Sequence, residues 1–444
     1  MRLLRLFTIA AALLSMSGCQ SLLQPPLQPQ VVLPTNANAN ASANANSSAN
    51  SNASETANAD KNLDRNTNLE GNQNIERNTN PKTVNKDPLT SFIKVPPGFT
   101  VDVYAKGLEC PRQLALSPNG TLFIGTKINN NGKVYAITNK NKDNVGDQVF
   151  TIADNLKCPN GVAFHDGALY VAEINKILRY DDIESKLSTS TKLAPPRVVN
   201  SQLPSEGHHG WKYIRFGPDN KLYVPVGAPC NVCEPDKSIF ASIMRMNQDG
   251  SNLELFASGI RNTVGFDFHP QTKQLWFTDN GRDLLGDDLP PDELNCAERA
   301  GMNFGFPYRY GNNIPDPIFG GKAKADSNFT PPVVPLGAHV AALGMRFYNG
   351  KQFPSTYQGN IFIAEHGSWN RSKKTGCRIT RVVLDDTTNK IANKYEVFAE
   401  GWLNQDKQEY AGRPVDIVVA DDGALIVSDD SAGVIYRISY KKPI

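Results

Sequence analysis

The sequence predicts an all-β fold, a six-bladed β-propeller preceded by a signal peptide and a disordered linker. Three observations predict it. One strand–turn–strand pattern recurs six times from Cys110 onward, aromatic residues are missing from Ser21 to Ser91, and the chain opens with a basic, then apolar, then small-residue run. The expected division is 1–18 signal peptide, 19–90 tether and 91–444 propeller.

Arg2 and Arg5 precede the apolar stretch Leu6–Leu14, followed by Ser15, Ser17, Gly18 and Cys19. That order is the layout of a secretory signal peptide. Ser17-Gly18-Cys19 resembles the lipobox of bacterial lipoproteins, with Met16 where Leu is usual. The resemblance implies that Cys19 is lipidated and becomes the mature N-terminus. Gln20 after it, rather than Asp, implies delivery to the periplasmic face of the outer membrane. The alternative is an ordinary cleaved signal peptide with an incidental cysteine; on either reading the chain is exported.

From Ser21 to about Asp87 the chain is rich in Asn, Ala, Ser and Thr, with 15 Asn between Asn36 and Asn80. Such a tract buries too little apolar surface to offset the entropy of ordering, so disorder is expected. About 70 flexible residues span roughly 45 Å root-mean-square, enough to hold a domain off a membrane. The remaining ~350 residues suffice for a large core. A net charge of +2, evenly interspersed, excludes a nucleic-acid surface. Past residue 14 no apolar run approaches the ~20 residues a membrane helix needs.

The repeats begin at Cys110, Cys158, Trp211, Arg261, Ala342 and Arg413, at intervals of 48, 53, 50, 81 and 71 residues. Each couples two alternating runs rich in Val, Ile, Phe and Tyr, most through a Pro/Asn/Asp-Gly type of turn, as in Ser117-Pro-Asn-Gly120. These are hairpins, and a period near 50 residues fits four-stranded propeller blades. Phe99–Tyr104 is expected to form the outer strand of the last blade beside Val434–Ser439, sealing the ring. The two long intervals predict inserted loops near 283–335 and 366–377. A β-sandwich would not explain six copies of one hairpin.

Polar residues gather just before the alternating runs: Arg112, Asn160, His208-His209, Arg261-Asn262 and Arg413. A single such arginine would ordinarily hydrogen-bond a neighbouring strand. Several at matching phase suggest a polar, anionic ligand on the axis. His209 is the natural general base. Adjacent on a strand, His208 and His209 are expected to point to opposite faces and so not to chelate one ion together. His165 and His269 read as turn residues, and His366 as a further channel candidate. The acidic stretch from Thr278 to Asn295 suits calcium, which takes 6–8 oxygen ligands, or is simply a solvated loop. Six cysteines after Cys19 allow three disulfides, and Cys110 and Cys158, at equivalent places in adjacent repeats, are expected to pair. Cys230-Asn-Val-Cys233 is followed by Glu234, which excludes a c-type haem site, and no second C-x-x-C exists to complete a zinc site.

The segments beginning at Gly207 (GHHGWKYIRFGPD), Gly259 (GIRNTVGF), Asp287 (DDLPPDELN), Gly367 (GSWNRS) and Gly412 (GRPVD) resemble the glucose/sorbosone dehydrogenase family. The likeness runs over about 92–444 and favours the sorbosone-dehydrogenase-like branch. It implies a six-bladed propeller that uses pyrroloquinoline quinone (PQQ) and Ca2+ to oxidise an aldose or sorbosone-like aldehyde sugar to its lactone or acid. His209 matches the catalytic base, taking a hydroxyl proton while hydride passes to the quinone. Arg261, Asn262 and Arg413 match cofactor-binding positions, and Arg112 points to the same axis. Gly281 and Arg282 match a loop whose main-chain carbonyls hold the metal, and Asp292 matches an acidic position nearby. Three departures stand out. His208 replaces an Asp, Val415 replaces a second arginine, and the cofactor lysine has no counterpart unless Arg371, Lys373 or Lys374 serves. Electrons would leave to a periplasmic cytochrome or quinone. The rival readings are a non-catalytic sugar- or surface-binding lipoprotein and a calcium-dependent lactonase.

Overall fold

The computed structural model describes residues 87–187, 193–384 and 392–442. The expected signal peptide, Cys19 and the tether as far as 86 lie outside the described residues.

Six sheets are arranged as blades, each with four antiparallel strands and the third extended by a fifth. The first comprises Pro111–Leu116, Leu122–Thr126, Gly132–Thr138 and Gln148–Leu156, and the second Gly161–His165, Ala168–Ala172, Ile177–Tyr180 and Arg197–Asn200. The third holds Arg215–Phe216, Leu222–Val226, Ser242–Met246 and Glu254–Ser258; the fourth holds Phe266–Phe268, Leu275–Asp279, Pro291–Ala297 and Val334–Ala338. The fifth runs Ala342–Phe347, Ile361–Glu365, Arg378–Leu384 and Ala392–Ala399. The sixth is Pro414–Val419, Leu425–Asp429 and Val434–Tyr440, completed by Phe99–Lys106 from the start of the domain. First strands of neighbouring blades pack on one another, so they line the axis.

Local chemistry sets the hairpins. In the second blade His165 pairs directly with Ala168, and Asp166 and Gly167 between them both take positive φ. That is the two-residue turn whose twist matches the strands. Second strands such as Leu122–Thr126 and Leu275–Asp279 are buried along their whole length because blades cover both faces. This explains their nearly unbroken apolar sequence. The core is a set of apolar clusters, one between each pair of adjacent blades.

The ring closes as the sequence predicts. Phe99 pairs with Tyr440, Val101 with Ile438 and Val103 with Tyr436, and the Thr100 and Ser439 hydroxyls lie 3.0 Å apart. Phe99 anchors the seam, its ring centroid 4.7 Å from Phe353, 5.0 Å from Phe398 and 5.0 Å from Tyr440.

Four expectations are corrected. The folded region begins before residue 91, because Leu89 and Thr90 turn on Asp87 and Thr90 is buried. Residues 291–297 belong to a blade, so the first insertion starts after Ala297; it adds Met302–Asn303 in parallel to the third blade and carries a small hairpin, Arg309–Tyr310 with Ile314–Pro315. Cys158 is a buried free thiol, not bonded to Cys110. The backbone of Lys127–Ile128 runs between the two cysteines, Lys127 N–H donating to Cys110 O and Cys158 N–H to Ile128 O. The disulfide recorded within the described residues joins Cys230 to Cys233. Finally, His208 and His209 lie in a turn with His209 at φ 49°, so their rings face each other at 4.1 Å instead of pointing apart.

Because Phe99 bridges the first and last segments of the domain, Phe99→Ala should destabilise it by about 3–5 kcal/mol. Leu284→Ala, at a side chain 70% exposed, should change stability by less than about 0.5 kcal/mol. Urea denaturation of both variants checks the pair.

Candidate functional site

Two positions in each blade meet at one end of the axis. One is the approach to the first strand, which supplies Arg112, Asn160, His209, Arg261, Asn262 and Arg413. The other is the residue just past the second strand: Lys127, Glu173, Gly227, Asn280, His366 and Asp430 in successive blades. The first set is legible in the repeats. The second set is equally periodic and is where the site residues missed by sequence reading lie.

His209 is held by its turn and by Gly227. A Cβ at Gly227 would stand 2.5 Å from His209 Cβ, so only glycine admits the ring there. His209 Nδ1 lies 2.9 Å from Ala228 O. A carbonyl only accepts, so Nδ1 carries the proton and Nε2 keeps its lone pair. Nε2 makes no hydrogen bond among the described residues. Burial, then Arg261 and His208, push His209 well below the usual histidine range, so it is neutral at pH 7. Lys212, buried beside it, donates to Gly210 O and fixes the far side of the turn.

Arg261 is 4% exposed and enclosed. Its Nε donates to Asn231 O at 2.8 Å, one NH to Asn280 O at 3.1 Å, and the other to Asn231 Oδ1 at 2.9 Å and Asp283 Oδ2 at 3.0 Å. Asn231 sits inside the Cys230–Cys233 loop, so the disulfide-closed loop positions the guanidinium. Asp279 caps the approach strand, accepting from Arg261 N at 2.8 Å and Asn262 N at 2.6 Å. The Asn262 side-chain amide is left without a partner among the described residues.

On the opposite side Asp430 accepts from Arg112 at 2.7 Å, and His366 Nε2 lies 2.8 Å from its other oxygen. Burial works against ionisation here, but His366 and then Arg112 hold the Asp430 carboxyl well below the usual range. Arg112 also donates to Asn160 Oδ1 at 3.0 Å. Arg413 donates to His366 O at 2.9 Å and Gly367 O at 2.7 Å, while Asp429 caps its backbone N–H at 2.8 Å. Between these groups Lys127 Nζ lies 3.9 Å from the Trp211 ring centroid. Trp211 packs on an apolar floor of Val264, Leu343 and Val415, and its indole N–H is buried without an acceptor.

The expected calcium loop is partly revised. Asp292 is not a loop residue: it lies on the buried strand Pro291–Ala297 and accepts from Gly281 N at 2.9 Å and Ala342 N at 3.1 Å. Burial raises its pKa to about 7. It braces the Gly281 loop from behind. Arg282 pairs its guanidinium with Asp316 at 2.7 Å. The Gly281 and Arg282 carbonyls accept no hydrogen bond among the described residues, so these two hard oxygens could serve a calcium ion. Among the described residues no group of three or more His, Cys, Asp or Glu could hold a metal. Arg371 does not join the axial cations. It donates to Asp287 O and, at 3.0 Å, to Asp288 Oδ1, clamping the 283–290 and 366–377 loops together. Lys374 is tied to Gln408 O and Lys373 is exposed.

Asp430→Ala leaves Arg112 buried with no carboxylate partner, which should cost about 3–5 kcal/mol. The double change Arg112→Met with Asp430→Leu should recover much of that loss, and thermal denaturation of the two variants measures the difference.

Residues 108–368 match the Glucose / Sorbosone dehydrogenase family, and residues 320–441 match the TrAA12-like family. An uncharacterized protein of Borreliella burgdorferi is 38% identical over 369 residues, covering 81% of this chain and 94% of that one. The holo PQQ domain of pyranose dehydrogenase from Coprinopsis cinerea superposes with a TM-score of 0.63 at 19% identity, over 78% of this chain and 97% of that one. The calcium structure of a Trichoderma reesei family AA12 carbohydrate-active enzyme gives a TM-score of 0.65 at 19% identity, over 79% and 97%. The six blades agree with these propellers, and the matched segment contains the histidine turn, the Arg261 approach and the Gly281 loop: the chain belongs to the glucose/sorbosone dehydrogenase family.

Proposed function

We propose that this protein is a PQQ- and calcium-dependent oxidoreductase that converts an aldose or sorbosone-like aldehyde sugar to its lactone or acid. Family membership supports a sugar oxidoreductase. The observation that carries the finer reading is His209: a neutral imidazole with Nδ1 fixed on Ala228 O and the Nε2 lone pair left without a hydrogen bond among the described residues.

The residues fit a planar, carboxylate-bearing quinone. Arg112, Arg413 and the amide of Asn262 surround the axis, the orphan Trp211 N–H waits for an acceptor, and the free carbonyls of Gly281 and Arg282 suit a hard cation. When bound, PQQ supplies a two-electron acceptor and calcium the Lewis acid beside it. His209 Nε2 accepts the proton of the sugar hydroxyl whose carbon is oxidised. Arg261 favours the neutral form of His209 before that transfer, and its enclosure by Asn231, Asn280 and Asp283 keeps it from swinging toward the imidazole. The proposal extends to export, a lipid on Cys19, the periplasmic face of the outer membrane as the location and a periplasmic cytochrome or quinone as electron acceptor.

A second reading, a sugar-binding propeller without turnover, is favoured by the number of acceptors already engaged by Arg261. Full-length protein loaded with calcium and PQQ, given an aldose panel and a dye acceptor, separates the two. Sugar-dependent dye reduction is expected, and binding of PQQ without it would favour the second reading. His209→Ala should lower kcat by about 10²–10⁴-fold with PQQ affinity nearly unchanged; near-normal turnover would remove His209 as the base. The pH profile follows from the direction of the shift. Because the His209 pKa is depressed, the base stays unprotonated as pH falls through 6.5, so kcat/KM should hold level there and decline only well below it. An acid limb centred at 6.5 would contradict this.

A further inference from the structure

Arg261 and His208 are the two side chains that, after burial, act most on the His209 imidazole. Both lean on the stretch 227–241, which joins the second and third strands of the third blade and contains no strand or helix of its own. Backbone outside regular structure holds a partner accurately only where something braces it. Here Cys230 and Cys233 close the stretch with a disulfide, and Asn231 lies between them. Asn231 O accepts from Arg261 Nε at 2.8 Å, and Asn231 Oδ1 accepts from Arg261 at 2.9 Å and from Asp283 N at 2.9 Å. Asn231 Nδ2 donates to Asp283 O at 3.2 Å. The His208 ring donates to the carbonyl of Cys230.

We propose that Asn231 is a positioning residue for the reaction and that the Cys230–Cys233 disulfide is its latch: opening the bridge disengages Arg261, His208 and Asp283 together and slows turnover while the blades stay folded. This inference rests on the function proposed above. Through Asn231 one short segment of the third blade ties the Arg261 approach of the fourth blade to Asp283, next to the Gly281 and Arg282 carbonyls. Two of its contacts use main-chain oxygens, those of Cys230 and Asn231. Their direction depends on backbone conformation, which the bridge restricts and the asparagine side chain alone does not.

The bridge acts locally. It spans a sequence separation of 3, and the chain-entropy stabilisation from a disulfide grows with the length of the loop it closes. Cys230 and Val232 also pack against Ala228, Ala241, Phe306 and Tyr310. That apolar seat retains the segment when its polar face is released. Both cysteines are half-buried, within reach of a small dithiol, whereas Cys158, Cys296 and Cys377 are buried. In the opening step the S–S bond breaks, two electrons and two protons pass from the dithiol to the two sulfurs, and the dithiol closes to its own disulfide.

The test compares full-length wild type, Asn231→Ala and the double variant Cys230→Ser with Cys233→Ser. Amide hydrogen exchange read by mass spectrometry needs no cofactor. The Asp283 N–H should exchange at least about 10-fold faster in both variants, with the strands Leu222–Val226 and Leu275–Asp279 protected as in wild type. Loaded with calcium and PQQ, both variants should lose about 10- to 100-fold in kcat per occupied site, sites being counted by quinone absorbance, with KM nearly unchanged. Wild type reduced with dithiothreitol, alkylated and freed of reductant should match the serine variant, which the same treatment should leave unchanged. Wild-type exchange at Asp283, or wild-type kcat, in either variant would overturn the assignment while leaving the dehydrogenase reading intact. Wild type that binds PQQ and oxidises no sugar would overturn both.

Discussion

The axis of this propeller depends on one buried carboxylate. Asp430 joins the sixth blade to the first through Arg112 and to the fifth through His366, and all three side chains are shielded from water. Its ionisation survives burial only because both partners are in place, since an unpaired charge in such surroundings would be neutralised. Arg112 in turn orders Asn160 of the second blade, and the backbone of His366 and Gly367 orders Arg413. The hydrogen bonds that hold these blades at the axis are also the ones that aim cations at its open end.

A related device stabilises the approach strands. Asp279 and Asp429 close the second strands of their blades and accept N–H groups from Arg261, Asn262 and Arg413. Carboxylates that accept backbone N–H groups need no cation of their own, so Asp279 and Asp429 leave the guanidinium groups of Arg261 and Arg413 to other partners. Asp292 braces the Gly281 loop likewise, from one strand further out. The approach arginines stand at rigid sheet ends, His209 and Gly281 stand in a turn and a loop, and Arg371 clamps the 283–290 loop to the 366–377 loop. His209 shows the consequence for chemistry. Its turn is locked by Gly227 and Lys212, and its neutral form follows from burial and from Arg261, so protonation state and orientation come from one arrangement.

Much was legible in advance. Alternating runs and turn residues at regular spacing predict blades, because strand pairing and two-residue turns are local. Even the closure of Phe99–Lys106 on Val434–Tyr440 could be read, since an unpaired apolar strand at each end has one partner left. The approach residues Arg112, His209, Arg261 and Arg413 stand out because they repeat at one phase. Lys127, Asn280 and Asp430 repeat at another phase, and their signal is hidden because their side chains differ in charge from blade to blade. The disulfide expectation failed for a physical reason: equivalence in a repeat means similar position in neighbouring blades, with Lys127–Ile128 lying between, and not contact.

By itself the sequence determined the blade count and the order of strands, because each rests on residues near one another in the chain. Only the tertiary structure decided which cations stay directed at the axis. Arg371 and Arg261 look equally available in sequence, yet acceptors contributed by segments 19 or more residues away engage them, whereas Lys127 is carried to the Trp211 ring by blade geometry. Partner choice among like charges is set by distances across the ring, which no local pattern encodes.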